Sequence, residues 1–373
     1  MACAISAGAP AGVVAGPPAM PPWEAVSGRR AVVYVMPHTP GATGAQTAAA
    51  RLDELLDRIT RDSGLDLPGL FVYPLYASAR QFQEDWWRFA TLRDGVVHGW
   101  GTIYAGDPAA ISPYQIARVV ALQAQGQGIP MLTWGVGDLI ADRLAGVDSH
   151  VHARLFADRG GLPPIESIVH QLDFSRALPG SYVQSVSFLA FLAEERGLPR
   201  VVAFADGVGR RWYDFASILE RHFGMTLADA EGRWRARLER ATSPGLSAAE
   251  FSDYRRAAEF VYRTTLARTP GGLVSRPGGA DAYVEGLRAA DALRRLDLAT
   301  AARAERAARH AVETVERQTT RTRLGVQVAL WGLAVVPVLL AVLLLAGPAL
   351  RSALYDHRTR RARGRRAARD RSA

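Results

Sequence analysis

The sequence predicts an α+β fold, followed by a helical stalk and one transmembrane helix. Three observations predict it. β-rich segments come first, amphipathic helical segments follow, and 27 residues near the C-terminus, Leu324 to Leu350, carry no formal charge. Segregated strands and helices are the mark of an α+β architecture. A bilayer core about 30 Å thick needs ~20 apolar residues in a helix, and the charge-free run exceeds that.

Regular structure is expected from Arg30. The segment Ala31 to Met36 (AVVYVM) is β-branched and aromatic and is bounded by prolines, so it reads as a strand. Ala45 to Ser63 places Leu52, Leu55, Leu56 and Ile59 at helical spacing and stops at Gly64. Leu67 to Tyr76 reads as a second strand, Ser78 to Trp86 as a capped short helix, and Gly95 to Gly106 as a strand or hairpin. Pro113 to Leu144 reads as two helices interrupted at Gly126 to Pro130. Further helices are expected at Tyr182 to Arg196, Trp212 to Phe223, Leu227 to Leu238 and Ser247 to Arg268. Thr269 to Gly279 is rich in Gly and Pro and reads as a linker. The Ala- and Arg-rich run Ala280 to Arg323 reads as a long helix leading to the membrane.

The resulting domain scheme has a leader over residues 1–29, an α+β domain over 30–242 and a helical stalk over 243–323. The transmembrane helix occupies 324–350 and a basic tail 351–373. The leader is rich in Ala, Gly and Pro and lacks the basic start of a secretory signal, so it reads as disordered or as a partial signal segment. The tail carries nine Arg against two Asp, whereas the 15 residues before the span carry four Arg and two Glu. The positive-inside tendency puts the C-terminus in the cytoplasm of a single-pass cell-membrane protein and the N-terminal domain outside it. Arg351, Arg358, Arg360 and Arg361 are placed to contact anionic lipid.

Composition excludes some functions. The pI of 10.2 suggests nucleic acid, yet the tail supplies seven of the nine net positive charges, so no basic groove and no nucleic-acid partner are expected. All basic residues are Arg. Cys3 is the sole cysteine, which rules out an intramolecular disulfide and a cysteine-rich zinc site. No Gly-x-Ser-x-Gly nucleophile motif occurs.

Several stretches, in this order, resemble the gluzincin-like metallopeptidase domains of the thermolysin superfamily (peptidase MA-like). They are Phe71 to Gln83, Gly99 to Gly106, Ile129 to Asp142, Tyr182 to Gly197 and Phe223 to Leu238. The resemblance covers roughly Ala31 to Arg240 and implies a zincin-like fold. Such domains carry His-Glu-x-x-His on one helix, with both His binding zinc, the Glu acting as general base, and a third ligand on the next helix. The resemblance places Tyr114 and Arg118 where the two His belong, Gln115 at the Glu and Trp134 at the third ligand. Ala109 to Ala145 contains no His and no Glu. Arg is always protonated and cannot ligate zinc, and an amide cannot act as a base. The resemblance therefore implies a pseudoenzyme that has kept its fold, lost its zinc site, needs no cofactor and acts by binding a peptide or protein. The main alternative is an active hydrolase with unusual metal ligands, His150, His152, Asp138 and Asp142. Against it, the two His read as ordinary residues of a surface loop. A further alternative is a structural subunit of a membrane complex.

Overall fold

The computed structural model describes residues 22–65, 69–90, 96–98, 111–125, 128–170, 174, 177–262, 279–314 and 317. The chain divides into two units, 1–312 and 313–373; the sheet and every labelled helix belong to the first. Leu324 to Leu350 and the basic tail lie outside the described residues. Among the described residues no helix is long and apolar enough to cross a membrane.

The fold is α+β, with a small sheet at the N-terminal end and a larger helical body. Strands β1 (Glu24–Ser27), β2 (Ala31–Val35), β3 (Leu70–Leu75) and β4 (Val96–His98) lie in that order. β1 pairs antiparallel with β2, while β2–β3 and β3–β4 are parallel. Every residue of β2 is buried, as its unbroken apolar run requires for a strand covered on both faces. β1 falls within the segment expected as leader, which is a correction: its residues are ordered by pairing, and Trp23 just before it is buried. The turn between β1 and β2 is pinned by Asp53, whose carboxylate accepts the backbone N–H groups of Arg29, Arg30 and Ala31. A Cβ at Gly28 would stand 2.6 Å from that carboxylate, so the turn needs glycine.

Helix α1 (Pro40–Ser63) crosses from β2 to β3. It buries Leu52, Leu55, Leu56 and Ile59, the spacing read from sequence, and ends at Gly64 in the left-handed region. α2 (Ala79–Ala90) follows β3. The expected interruption at 126–130 separates α3 (Pro113–Gln125) from α4 (Pro130–Ala145). Next come α5 (Ser149–Ala157), α6 (Ile165–Val169) and α7 (Gly180–Arg196). After them lie α8 (Leu198–Val208), a 3-10 turn at Trp212–Asp214, α9 (Phe215–Phe223) and α10 (Leu227–Glu239). α7 is buried on all sides from Gly180 to Ala193 and forms the axis of the helical body. Two of its buried polar side chains donate locally: Ser181 to the Phe174 carbonyl at 2.7 Å and the Gln184 amide nitrogen to that of Pro163 at 2.6 Å, while Gln184 Oε1 receives no hydrogen bond.

α4 is wedged between α3 and α7. Two glycines allow this. A Cβ at Gly137 would lie 2.9 Å from the Arg118 Cα on α3, and one at Gly135 would lie 2.5 Å from Ser185 Oγ on α7. Gly137→Ala sets two effects against each other. Helix propensity favours Ala by about 1 kcal/mol, while overpacking against backbone costs about 1–3 kcal/mol. The neighbour at Gly137 is backbone and cannot swing away, so the variant is expected to be less stable by about 1–2 kcal/mol. The urea midpoint measures this, and an unchanged or higher midpoint would contradict the close approach.

Residues 243–323, expected as a stalk, are helical over 248–261, 279–294 and 298–314, and those up to 312 belong to the same compact unit as the sheet. α11 (Ala248–Val261) starts at a capping box of Ser247 and Glu250 and buries Tyr254, Ala258 and Val261. α12 (Gly279–Arg294) packs on α11 and α2 and buries Ala289, Ala292 and Leu293. The chain is helical again from 298 to 314.

Candidate functional site

α3 and α4 run side by side, which brings Tyr114, Arg118 and Trp134 together. The Arg118 guanidinium lies 5.7 Å from the Tyr114 ring centre and 5.9 Å from that of Trp134. Gln115, one residue on from Tyr114, is half-buried. The three positions assigned by resemblance to zinc ligands thus share one locus, occupied by a guanidinium held between two aromatic rings.

That guanidinium is one corner of a buried ion network. One turn beyond Trp134, Asp138 is fully buried, and its two oxygens face Arg118 Nε at 3.5 Å and Arg294 at 3.3 Å. One turn further, Asp142 accepts from Arg294 at 2.6 and 2.9 Å and from Ser149 Oγ at 2.7 Å. Arg294 also caps the Tyr114 ring at 4.7 Å and donates to the Asp138 carbonyl at 3.2 Å. Two carboxylates thus meet two guanidiniums with no net charge, as burial demands. Asp138 is the less satisfied acid, because neither oxygen receives an aligned hydrogen bond. Burial pushes its carboxyl up to about 6, against the pull of Arg294 and Arg118.

His152 joins the network through the backbone. Its Nε2 faces the Arg294 carbonyl at 2.9 Å, so that nitrogen carries the proton, and Nδ1 accepts from the Tyr254 hydroxyl at 2.9 Å. The cavity between Asp142, His152, Tyr254 and Arg294 offers about 10 Å³, the room of a single water. No substrate fits there.

His150, also on α5, points elsewhere. Its Nδ1 meets Ser187 Oγ at 2.8 Å and its Nε2 meets Glu194 at 3.2 Å. Ser, His and Glu so linked resemble a nucleophile with its base and orienting acid. Ser187, however, is fully buried and accepts the Trp234 indole N–H at 2.9 Å, so no substrate reaches it. Burial lowers the pKa of both His150 and His152, which favours neutral rings. These placements correct two expectations. The two histidines stand on a buried helix rather than in a surface loop, each facing its own partners. They also do not converge with Asp138 and Asp142 as a ligand set, because Arg294 occupies both carboxylates. Among the described residues no three His, Cys, Asp or Glu side chains gather to hold a metal.

A groove opens on the other side of Trp134. It encloses about 510 Å³ and is lined by Leu122, Ile129, Pro130, Trp134 and Trp212, with Thr133, His170 and Arg210 as its polar members. Small-ligand sites span about 300–1,000 Å³ and combine apolar walls with a few polar groups, as this one does. Its floor is fixed by the Ile129 N–H donating to the Gly209 carbonyl at 3.0 Å and by Phe174 set edge-on to Trp134 at 5.8 Å. The sequence alone points to Trp134 but not to Trp212, which lies 78 positions further along the chain.

The Arg118 locus and the groove adjoin at Trp134 within an α+β domain. No family model matches the chain, and no curated protein or solved structure matches it.

Proposed function

We propose that this chain is a single-pass membrane protein of the cell surface. Its zincin-like domain binds a peptide or protein segment without cleaving it. The observation that supports this most directly is the Arg118 guanidinium, lodged between Tyr114 and Trp134 and paired with Asp138, at the positions where the resemblance would put zinc. A permanent cation there repels a metal ion and cannot itself act as a ligand or base. The adjoining groove keeps the size and apolar lining that a peptide side chain needs. The charge-free run Leu324 to Leu350 would span the membrane, with the Arg-rich tail in the cytoplasm against anionic lipid.

The test uses the full chain in lipid discs and a displayed library of random peptides. Enriched peptides should carry aromatic or aliphatic anchors and remain uncleaved. Trp134→Ala should weaken them by about 2 kcal/mol, roughly thirtyfold, as loss of a central aromatic anchor does. Stoichiometric zinc in the purified protein, or hydrolysis of the bound peptides, would reverse the reading in favour of an enzyme. Enriched peptides indifferent to Trp134→Ala would remove the groove from it.

A further inference from the structure

The described residues expose three large hydrophobic side chains: Leu122 at 46%, Trp212 at 48% and Tyr213 at 68%. They are neighbours. Leu122 and Trp212 line the same groove, and the Trp212 and Tyr213 rings lie 6.1 Å apart. Trp212 is partly explained by the groove, where it also meets the His170 ring edge-on at 5.1 Å. Tyr213 is not. It does not line the groove, and it is the most exposed of the three.

The residues around the pair are also exposed. Arg210, Arg211, Trp212 and Tyr213 form a continuous exposed stretch between α8 and α9, the tip of a helix-to-helix connection. Arg211 reaches back to the Gly207 carbonyl at 2.5 Å, which stiffens the tip. Two acids flank it, Asp206 and Asp214, and Asp214 is only half-exposed at the entry to α9. Tryptophan and tyrosine combine an apolar body with a polar edge and concentrate at the headgroup level of bilayers. Arginine beside them can pair with the phosphates that lipid headgroups carry.

We propose that the Trp212–Tyr213 tip, with Arg210, Arg211 and Leu122, is a surface that rests at the headgroup level of the bilayer. This rests on the tethering part of the functional reading, since a charge-free run of 27 residues in the same chain would hold the domain near lipid. A tether turns the contact into an intramolecular event with an effective concentration of order millimolar, so even a weak surface affinity is populated. It also deepens the functional reading. The groove mouth, which shares Leu122 and Trp212 with the tip, would then open at the membrane surface, toward segments that emerge from the bilayer.

The experiment places a fluorophore at Ala216→Cys, an exposed position one turn beyond the tip, in a Cys3→Ser background of the full chain. Discs contain phosphatidylcholine and phosphatidylglycerol with a headgroup-level spin-labelled lipid. Glu239→Cys, exposed at the end of α10, is the control. Quenching at position 216 should exceed that at 239 by about twofold or more, as for a group held at the headgroup level. The double substitution Trp212→Ser, Tyr213→Ser should bring it down to the control. Equal quenching at the two positions overturns the proposal. So does shielding of 216 from aqueous iodide without lipid quenching, which would point to a protein partner. Failure to co-elute with discs would overturn the tether and this surface with it, whereas co-elution without quenching at 216 overturns the surface alone.

Discussion

Arg294→Met is expected to destabilise the protein by about 3–5 kcal/mol at pH 8, the range for breaking a buried ion pair by removing one partner. The deficit should shrink as the solution is acidified. Arg294 pairs with both Asp138 and Asp142, and Met keeps the length of the stem while removing the charge. Asp138 has a folded pKa of about 6, above the ordinary carboxylate value of 3.8. A raised acid binds its proton more tightly in the fold, so its stabilising contribution is fully present below about 4 and is lost as pH rises through 6. Removing Arg294 takes away the largest influence that lowers this pKa, so it rises further. At acid pH Asp138 can then take up a proton and the vacancy costs less, while at pH 8 its charge would be opposed by Arg118 alone. His150 and His152 work in the other direction. Their folded pKa values lie below the ordinary imidazole value, so their contribution is present above about 6.5 and lost as pH falls through the folded value. For His150 that loss is common to both proteins; His152 is released from the lowering influence of Arg294 in the variant, so its share of the loss shrinks and narrows the acid-pH deficit further. Urea unfolding at several pH values measures it. A deficit under ~1 kcal/mol, or one that does not vary with pH, would show that the network carries little of the fold's stability.

A chain ending at Arg240 is expected to lose cooperative folding. That cut matches the end of the resemblance, two residues short of the expected domain end, but it removes α11 and α12. Tyr254, Val261, Tyr262 and Leu293 are each buried by 95% or more. At about 1.5–3 kcal/mol per buried side chain, these four alone contribute roughly 6–12 kcal/mol. That is comparable with the whole 5–15 kcal/mol by which a domain is stable, to within about a factor of two. The cut would also bare Asp138, Asp142 and His152. Circular dichroism melts of the fragments ending at 240 and 312 make the comparison. A sharp transition in the shorter one would mean that α11 and α12 are dispensable, contrary to their burial.

The sheet and the central helices were legible because their signals are local. AVVYV in β2 is β-branched and aromatic, Leu52 to Ile59 in α1 keep a helical period, and Gly64 marks that helix's end. β1 was not legible, since the four residues EAVS have little pattern of their own and gain order only by pairing with β2. The burial of α12 was hidden by its composition. Ala282, Ala289, Ala290 and Ala292 face the core, and alanine contrasts too weakly with its neighbours to reveal a face. At the site, it was the resemblance that grouped Tyr114, Arg118 and Trp134, and the three do lie together. The sequence could not show that Arg118 and Arg294 neutralise Asp138 and Asp142, because charge pairing between distant segments leaves no trace in spacing. It misjudged His150 and His152 for a related reason. Their partners Glu194, Tyr254 and the Arg294 carbonyl lie 44, 102 and 142 positions away.

The separation of Arg294 from Asp142, 152 residues, has a consequence during synthesis. A ribosome adds about 5–20 residues per second, so the carboxylates emerge roughly 8–30 s before their guanidinium does. In that interval α4 carries two acids with Arg118 as its only nearby cation from the network, and the body can be compact but not closed. The last clasp is made only once α12 is out, shortly before the charge-free run emerges after it. A nascent chain stalled before residue 294 should therefore remain protease-sensitive around α4 and α5, and one stalled after it should not.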